Sequence, residues 1–190
     1  DWLRGFLTAL AVMTPVYGGL LGLSFWLDAP VPNMDPWVWL KFLPLGLVLL
    51  FVQIAAEELV FRGYLQEQLA ARFRSRLIWM WLPTILFALL HWSTQAGANW
   101  PLVLLSALTF GLVAADLTEQ SGNLGAAMGI HLGNNFAGIF LVGSQGAMTG
   151  LALYVTPETM DATGVQSIGM AISIIVLIVV WALTRRLIDR

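Results

Sequence analysis

Glu57, Glu58 and Arg62 crowd into the stretch "AAEELVFRGYLQ" (55–66), at the end of the apolar run "LPLGLVLLFVQIAAEELVFRG". Three more polar sites interrupt apolar segments in the same way: His91, His131 and the pair Asn134–Asn135. Carboxylates, imidazoles and amides are the groups that activate water, move protons and stabilise a developing oxyanion. Ionisable groups inside lipid-embedded helices are costly, and by default they point to function.

The spacings sort these residues. Glu58 and Arg62 stand four apart, one above the other on a helix face. Glu57 is turned about 100° away and shares that arginine less easily. One carboxylate is therefore neutralised and the other left free, which suits a general base beside a structural ion pair. His131 and Asn135 are also four apart and project to a common point, although spacing leaves open whether Asn134 or Asn135 faces a cavity. Gly125, Gly129 and Gly133 form a small-residue ridge on nearly the opposite face, made for close packing. Taken singly, each polar feature has a structural reading as ion pair, interhelical hydrogen bond or helix glue. Their grouping is what points to chemistry.

The elements that must position them are membrane helices. Of 190 residues, 58% are hydrophobic and 11% charged, with a mean hydropathy of +0.80. Soluble domains carry about 25% charged residues, so a multi-pass membrane protein is expected. The absence of cysteine removes disulfide and thiolate chemistry, and a net charge of −2 argues against nucleic acid as a partner. Six stretches are long enough to cross: from about Trp2 to Leu27, from Trp37 through the glutamates, "LIWMWLPTILFALLHW", "WPLVLLSALTFGLVAADL", "LGAAMGIHLGNNFAGIFLVG" and "SIGMAISIIVLIVVWAL". Pro15 and Gly18–Gly19 are expected to loosen the first. The segment "SQGAMTGLALYVTPETMDATGVQ" is expected to be an outer loop whose "LALYV" touches the membrane without crossing. The fold expected is all-α: a polytopic bundle of about six transmembrane helices with the active site in a cavity between them. It forms a single transmembrane domain over 1–190, with a motif-bearing core at about 44–140. The chain opens at Asp1 without an initiator methionine or a cleavable signal peptide. It is expected to be a piece of a longer protein with further helices before it.

Charge bias orients the bundle. With alternating segments, Arg4, Arg72, Arg74, Arg76, Arg185, Arg186 and Arg190 gather on one side, the cytoplasmic one by the positive-inside rule. Asp28, Asp35, Glu158 and Asp161 fall on the other, while Lys41 departs from the pattern and is expected to snorkel. Trp26, Trp37, Trp92 and Trp100 mark the outer boundary. An integral protein of a bacterial inner (plasma) membrane is expected, with both ends of this chain cytoplasmic. The depths also agree. Glu57 and His91 each lie 17 residues from a turn near residue 74, roughly 25 Å along each helix. Of that distance the polar extension "QEQLAARFR" stands clear of hydrocarbon, which leaves a depth of about 10–15 Å. His131 and Asn135, entering from the same side, reach roughly 12 and 18 Å.

In that order and at those spacings, "EELVFR" (57–62), "FALLH" (87–91) and "HLGNN" (131–135) match EExxxR, FxxxH and HxxxN motifs. They resemble the CPBP family, which joins CAAX prenyl proteases of the Ras-converting type with bacteriocin-processing and bacteriocin-immunity membrane proteins. The resemblance covers roughly residues 50–136. It implies an intramembrane glutamic endopeptidase that acts on membrane-associated peptide or protein substrates without a cofactor. Glu57 would be the base that takes a proton from water, and His91 would assist as acid or base. His131 and Asn135 would stabilise the oxyanion, with Glu58 and Arg62 in support. Water must reach Glu57, so a cavity opening toward the cytoplasmic, arginine-bearing side is expected.

Three rivals stand beside this reading. Glu57, His91 and His131 form a His₂Glu set of the type that binds catalytic zinc, although no HExxH is present. A non-catalytic immunity factor or scaffold would bind a peptide in the same cavity. A proton- or solute-coupled carrier would show internal repeats or paired broken helices, and none is seen.

Overall fold

The computed structural model describes residues 1–27, 29–147 and 149–188. Asp28 and Arg190, assigned to opposite sides from sequence, lie outside the described residues. Six helices form the bundle: α1 (Trp2–Leu27), α2 (Pro36–Ala70), α3 (Arg76–Leu90), α4 (Trp100–Ser121), α5 (Gly125–Phe136) and α6 (Val165–Ile188). An apolar medium offers the backbone no partners, so each segment satisfies its own amides by coiling.

Four of these helices are long and apolar enough to cross a membrane, namely α1, α2, α4 and α6. The other two are shorter than the six-crossing expectation requires. In α3 the winding breaks at Met80, just ahead of Pro83. Pro83 has no amide hydrogen, and its ring crowds the carbonyl four residues back. By contrast α1 runs unbroken through Pro15 and the paired glycines. Asp35 caps α2, its carboxylate accepting from the Trp37 and Val38 amides, and Pro36 occupies the first turn. Within α2, residues Leu59–Gln66 wind as a π-helix directly after Glu58.

The charged groups segregate as the sequence suggests. At one end Asp116 accepts from Trp181 and Arg185, and Arg76 pairs with Glu119, tying the α2–α3 turn, α4 and α6 together. At the opposite end lies a three-stranded sheet that the helical pattern did not foretell. It comprises β1 (Val31–Pro32), β2 (Val142–Gln145) and β3 (Tyr154–Thr159) in the order β1-β3-β2. β1 is antiparallel to β3 and β2 parallel to it, with Val31 opposite Val155 and Val142 opposite Tyr154. "LALYV" thus leads into a strand: Ala152 is fully buried, and the carbonyls of Thr149 and Ala152 accept from the Asn33 amide.

α5 lies at the centre of the bundle, with every residue from Gly125 to His131 buried. Its glycine ridge packs on α1: a Cβ on Gly129 would stand 2.6 Å from the Phe6 carbonyl oxygen and 2.8 Å from Ala9 Cβ. Neither neighbour is the tip of a flexible side chain. Gly129→Ala is therefore expected to push α1 and α5 apart and cost about 1–3 kcal/mol. Gly138→Ala, facing open space, is expected to stay within about 0.5 kcal/mol. Thermal unfolding of the two variants in the same detergent checks this pair of outcomes.

Candidate active site

Glu58, Arg62 and Gln66 form one stripe down α2, and all three are buried. Arg62 Nη1 donates to Glu58 Oε1 at 3.0 Å, while its Nη2 lies 3.4 Å from the Gly111 carbonyl oxygen. Gln66 Nε2 donates to the Ala115 carbonyl at 3.0 Å. The stripe thus runs parallel to α4, with Arg62 and Gln66 each facing one of its carbonyls. The π-winding slackens the helix and helps hold side chains four apart in line. Gly111 makes the approach possible, because a Cβ there would lie 2.6 Å from Thr84 Cγ2 and 3.4 Å from Arg62 Nη2. The guanidinium also lies over the rings of Phe87 and Phe110, at 4.6 and 5.5 Å, a favourable contact for a desolvated cation.

His131 joins the two carboxylates. Its Nδ1 lies 2.6 Å from Glu58 Oε1, and its Nε2 lies 3.7 Å from Glu57 Oε2. An ionised carboxylate only accepts, so the Nδ1 proton is donated to Glu58 and Nε2 is left to face Glu57. Glu58 is fully buried, whereas the Glu57 side chain is 27% exposed. Gln53, one turn back, donates to Glu57 Oε1 at 3.1 Å. Arg62 pairs with Glu58 and not with Glu57, as the spacing suggests. With a neutral His131 the four groups carry one net negative charge.

A cavity of about 510 Å³ opens beside this cluster, and its lining includes His91, His131, Asn134 and Asn135. His91 caps α3, its Nδ1 donating to the Phe87 carbonyl at 2.8 Å, and its Nε2 makes no hydrogen bond among the described residues. The two imidazoles flank the Phe87 ring, their centroids 4.4 and 6.2 Å from it. Both asparagines line the space, which resolves the alternative that spacing left open. Asn134 is engaged through its oxygen by Tyr17, and Asn135 Nδ2 makes no hydrogen bond among the described residues.

Two expectations about the cavity need correction. It extends from His131 past Ser106 and Ala107 to Ser144, Thr156 and Gln166, the sheet end, and not toward the arginines. The polar residues of α5 follow its C-terminal half, and the small Ala107, Gly138 and Gly169 leave the room there. A separate cleft of about 520 Å³ opens at the arginine-bearing end and reaches Arg62 and Gln66 but neither histidine. Glu57 lines neither space and meets the first only across His131. Among the described residues no three His, Asp or Glu side chains gather to hold a metal ion, so Glu57, His91 and His131 do not form a ready zinc site.

Sequence reasoning passed over Tyr17, Gln53, Gln66 and Gly111. Gln66 carried a signal: with Glu58 and Arg62 it forms a polar 4,4 repeat down one side of α2. Gly111 and Tyr17 have no local signature, because what matters in each is the partner helix.

The fold and site together define a membrane helical bundle with a buried Glu–Arg–His cluster beside a cavity. The chain belongs to the family described as type II CAAX prenyl endopeptidase Rce1-like, whose pattern matches residues 39–137. That region contains every candidate site residue read from the motifs. The chain is also 32% identical over 106 residues to the uncharacterized protein YyaK of Bacillus subtilis (strain 168), a match covering 54% of this chain. It spans about a third of that relative's length, 34%. No solved structure matches the chain.

Glu58 supports two partners at once. Glu58→Ala leaves Arg62 buried without its counter-ion and frees His131, and is expected to cost about 3–5 kcal/mol. Glu57→Gln, on a part-exposed side chain that keeps its partner Gln53, is expected to leave stability within about 0.5 kcal/mol. Denaturation midpoints of the two variants separate the roles of the adjacent glutamates.

Proposed function

We propose that the chain is the catalytic portion of an intramembrane endopeptidase in which Glu57 activates water against a peptide bond of a membrane-associated substrate. The observation that carries this reading is the placement of His131, donating to buried Glu58 while presenting Nε2 to Glu57. A water about 2.8 Å from each atom can bridge Glu57 Oε2 and His131 Nε2 across their 3.7 Å gap.

In this reading Glu57 takes a proton from that water as its oxygen bonds to the scissile carbonyl carbon. The carbonyl electrons move to its oxygen, where the charge is stabilised by the Asn135 amide and by His131, which enters the step with a proton from solvent on Nε2 and retains it. Such donors are worth most where water is scarce. The amine leaves with a proton relayed from Glu57, His91 Nε2 assisting. Glu58 and Arg62 touch no substrate; they orient His131. No metal or cofactor takes part. The bilayer carries the substrate to the site, with the arginine-bearing end cytoplasmic and the enzyme in a bacterial inner membrane. A second reading, a non-catalytic immunity or scaffold protein that holds a peptide in the cavity, is favoured by one observation: Glu57 does not itself line that cavity.

The test maps protein termini in membranes of cells expressing the full-length parent or an equally abundant Glu57→Gln variant. Termini found only with the wild type are expected, and they should persist when metal ions are chelated. Coincident maps with a phenotype surviving in both would favour the binding reading, and loss of the termini on chelation would favour a zinc enzyme.

A further inference from the structure

Asn135 can serve an oxyanion only if its NH₂ group, not its carbonyl, points into the cavity. An asparagine amide is nearly symmetric in shape, so something chemical must set its direction. The residues around it form a chain of hydrogen bonds with a defined sense. Tyr17, on α1, donates its hydroxyl proton to Asn134 Oδ1 at 2.8 Å. That fixes the oxygen of Asn134 toward α1 and turns its Nδ2 the other way. Asn134 Nδ2 then donates to Asn135 Oδ1 at 3.3 Å, long for an amide pair but correctly directed. With its oxygen occupied, Asn135 presents Nδ2 to the cavity.

We infer that Tyr17 and Asn134 are positioning residues that set the orientation of the Asn135 amide by this relay. The inference rests on the endopeptidase reading for its catalytic consequence, though not for the relay itself. Tyr17 lies outside the residues that match the family pattern, 39–137, and comes from a helix that contributes no motif. What brings it into reach is the glycine ridge. A Cβ on Gly133 would stand 3.3 Å from Met13 Cβ, and one on Gly129 2.8 Å from Ala9 Cβ, so the helices approach closely one turn before Tyr17. The tyrosine is then carried directly over Asn134. The ridge and the relay are parts of one device: close packing on one side of α5 aims an amide on the other.

Two measurements on the full-length parent in nanodiscs test this. The first is the side-chain amide spectrum of protein labelled with ¹⁵N-asparagine. Tyr17→Phe, which removes one oxygen and keeps the ring, is expected to move the side-chain signals of both Asn134 and Asn135. An unmoved Asn135 signal overturns the relay. The second is steady-state cleavage of a peptide spanning a terminus that depends on Glu57. Tyr17→Phe is expected to lower kcat roughly tenfold with KM unchanged, as a small misplacement of a catalytic donor does. Added to Asn135→Ala it is expected to lower kcat no further, because the two act through one group. Losses that multiply would overturn the inference. Were no Glu57-dependent cleavage found, the endopeptidase reading would fall while the amide spectrum still judged the relay.

Discussion

A guanidinium and a carboxylate buried in an apolar bundle are costly unless they pair and find further hydrogen-bond partners. Around Arg62 and Glu58 that requirement shapes four helices. α2 supplies both charges on one face, and α5 supplies His131 to the carboxylate. α4 supplies the Gly111 carbonyl and withholds a side chain there, while α3 brings Thr84 and the Phe87 ring into the space. None of these is a large interaction alone. Together they leave α2 little freedom to slide or rotate against α4, because Arg62 and Gln66 each face one particular carbonyl.

The same constraint explains the two-sided character of α5. Its glycines let α1 approach closely, and the opposite side carries His131, Asn134 and Asn135. A helix with polar groups on one side cannot be held by hydrophobic attraction within an apolar solvent; close van der Waals packing has to replace it. The ridge supplies that packing and also sets the height at which His131 meets Glu58.

Much of this was legible in the sequence. The 58/62 spacing foretold the ion pair, and the depth count foretold that His131 meets the glutamates. The 125/129/133 repeat foretold a packing face. These features depend on the periodicity of a single helix or on the length of one hairpin, which a sequence carries directly. The rest depends on encounters between helices. Nothing local marks Tyr17 as the partner of a residue more than a hundred positions away. The sheet at the far end was hidden for a related reason: "LALYV" and "VP" are too short to signal strands until they meet. The direction of the cavity was misread because it was inferred from the need for water to reach Glu57 from the arginine-bearing side. The small residues that hollow the other end belong to three different segments.

Glu57 and Glu58 differ by one position, yet one side chain is part exposed and the other fully buried. A rotation of about 100° per residue accounts for the divergence in direction. The π-winding begins directly after Glu58. The α-helix holds Gln53 and Glu57 one turn apart on the outer face. The slackened segment then keeps Arg62 and Gln66 in line beneath Glu58 on the inner one. The one-residue rotation thus lets neighbouring carboxylates of one chemical type meet different partners, one tied to a fixed cation and one facing an imidazole.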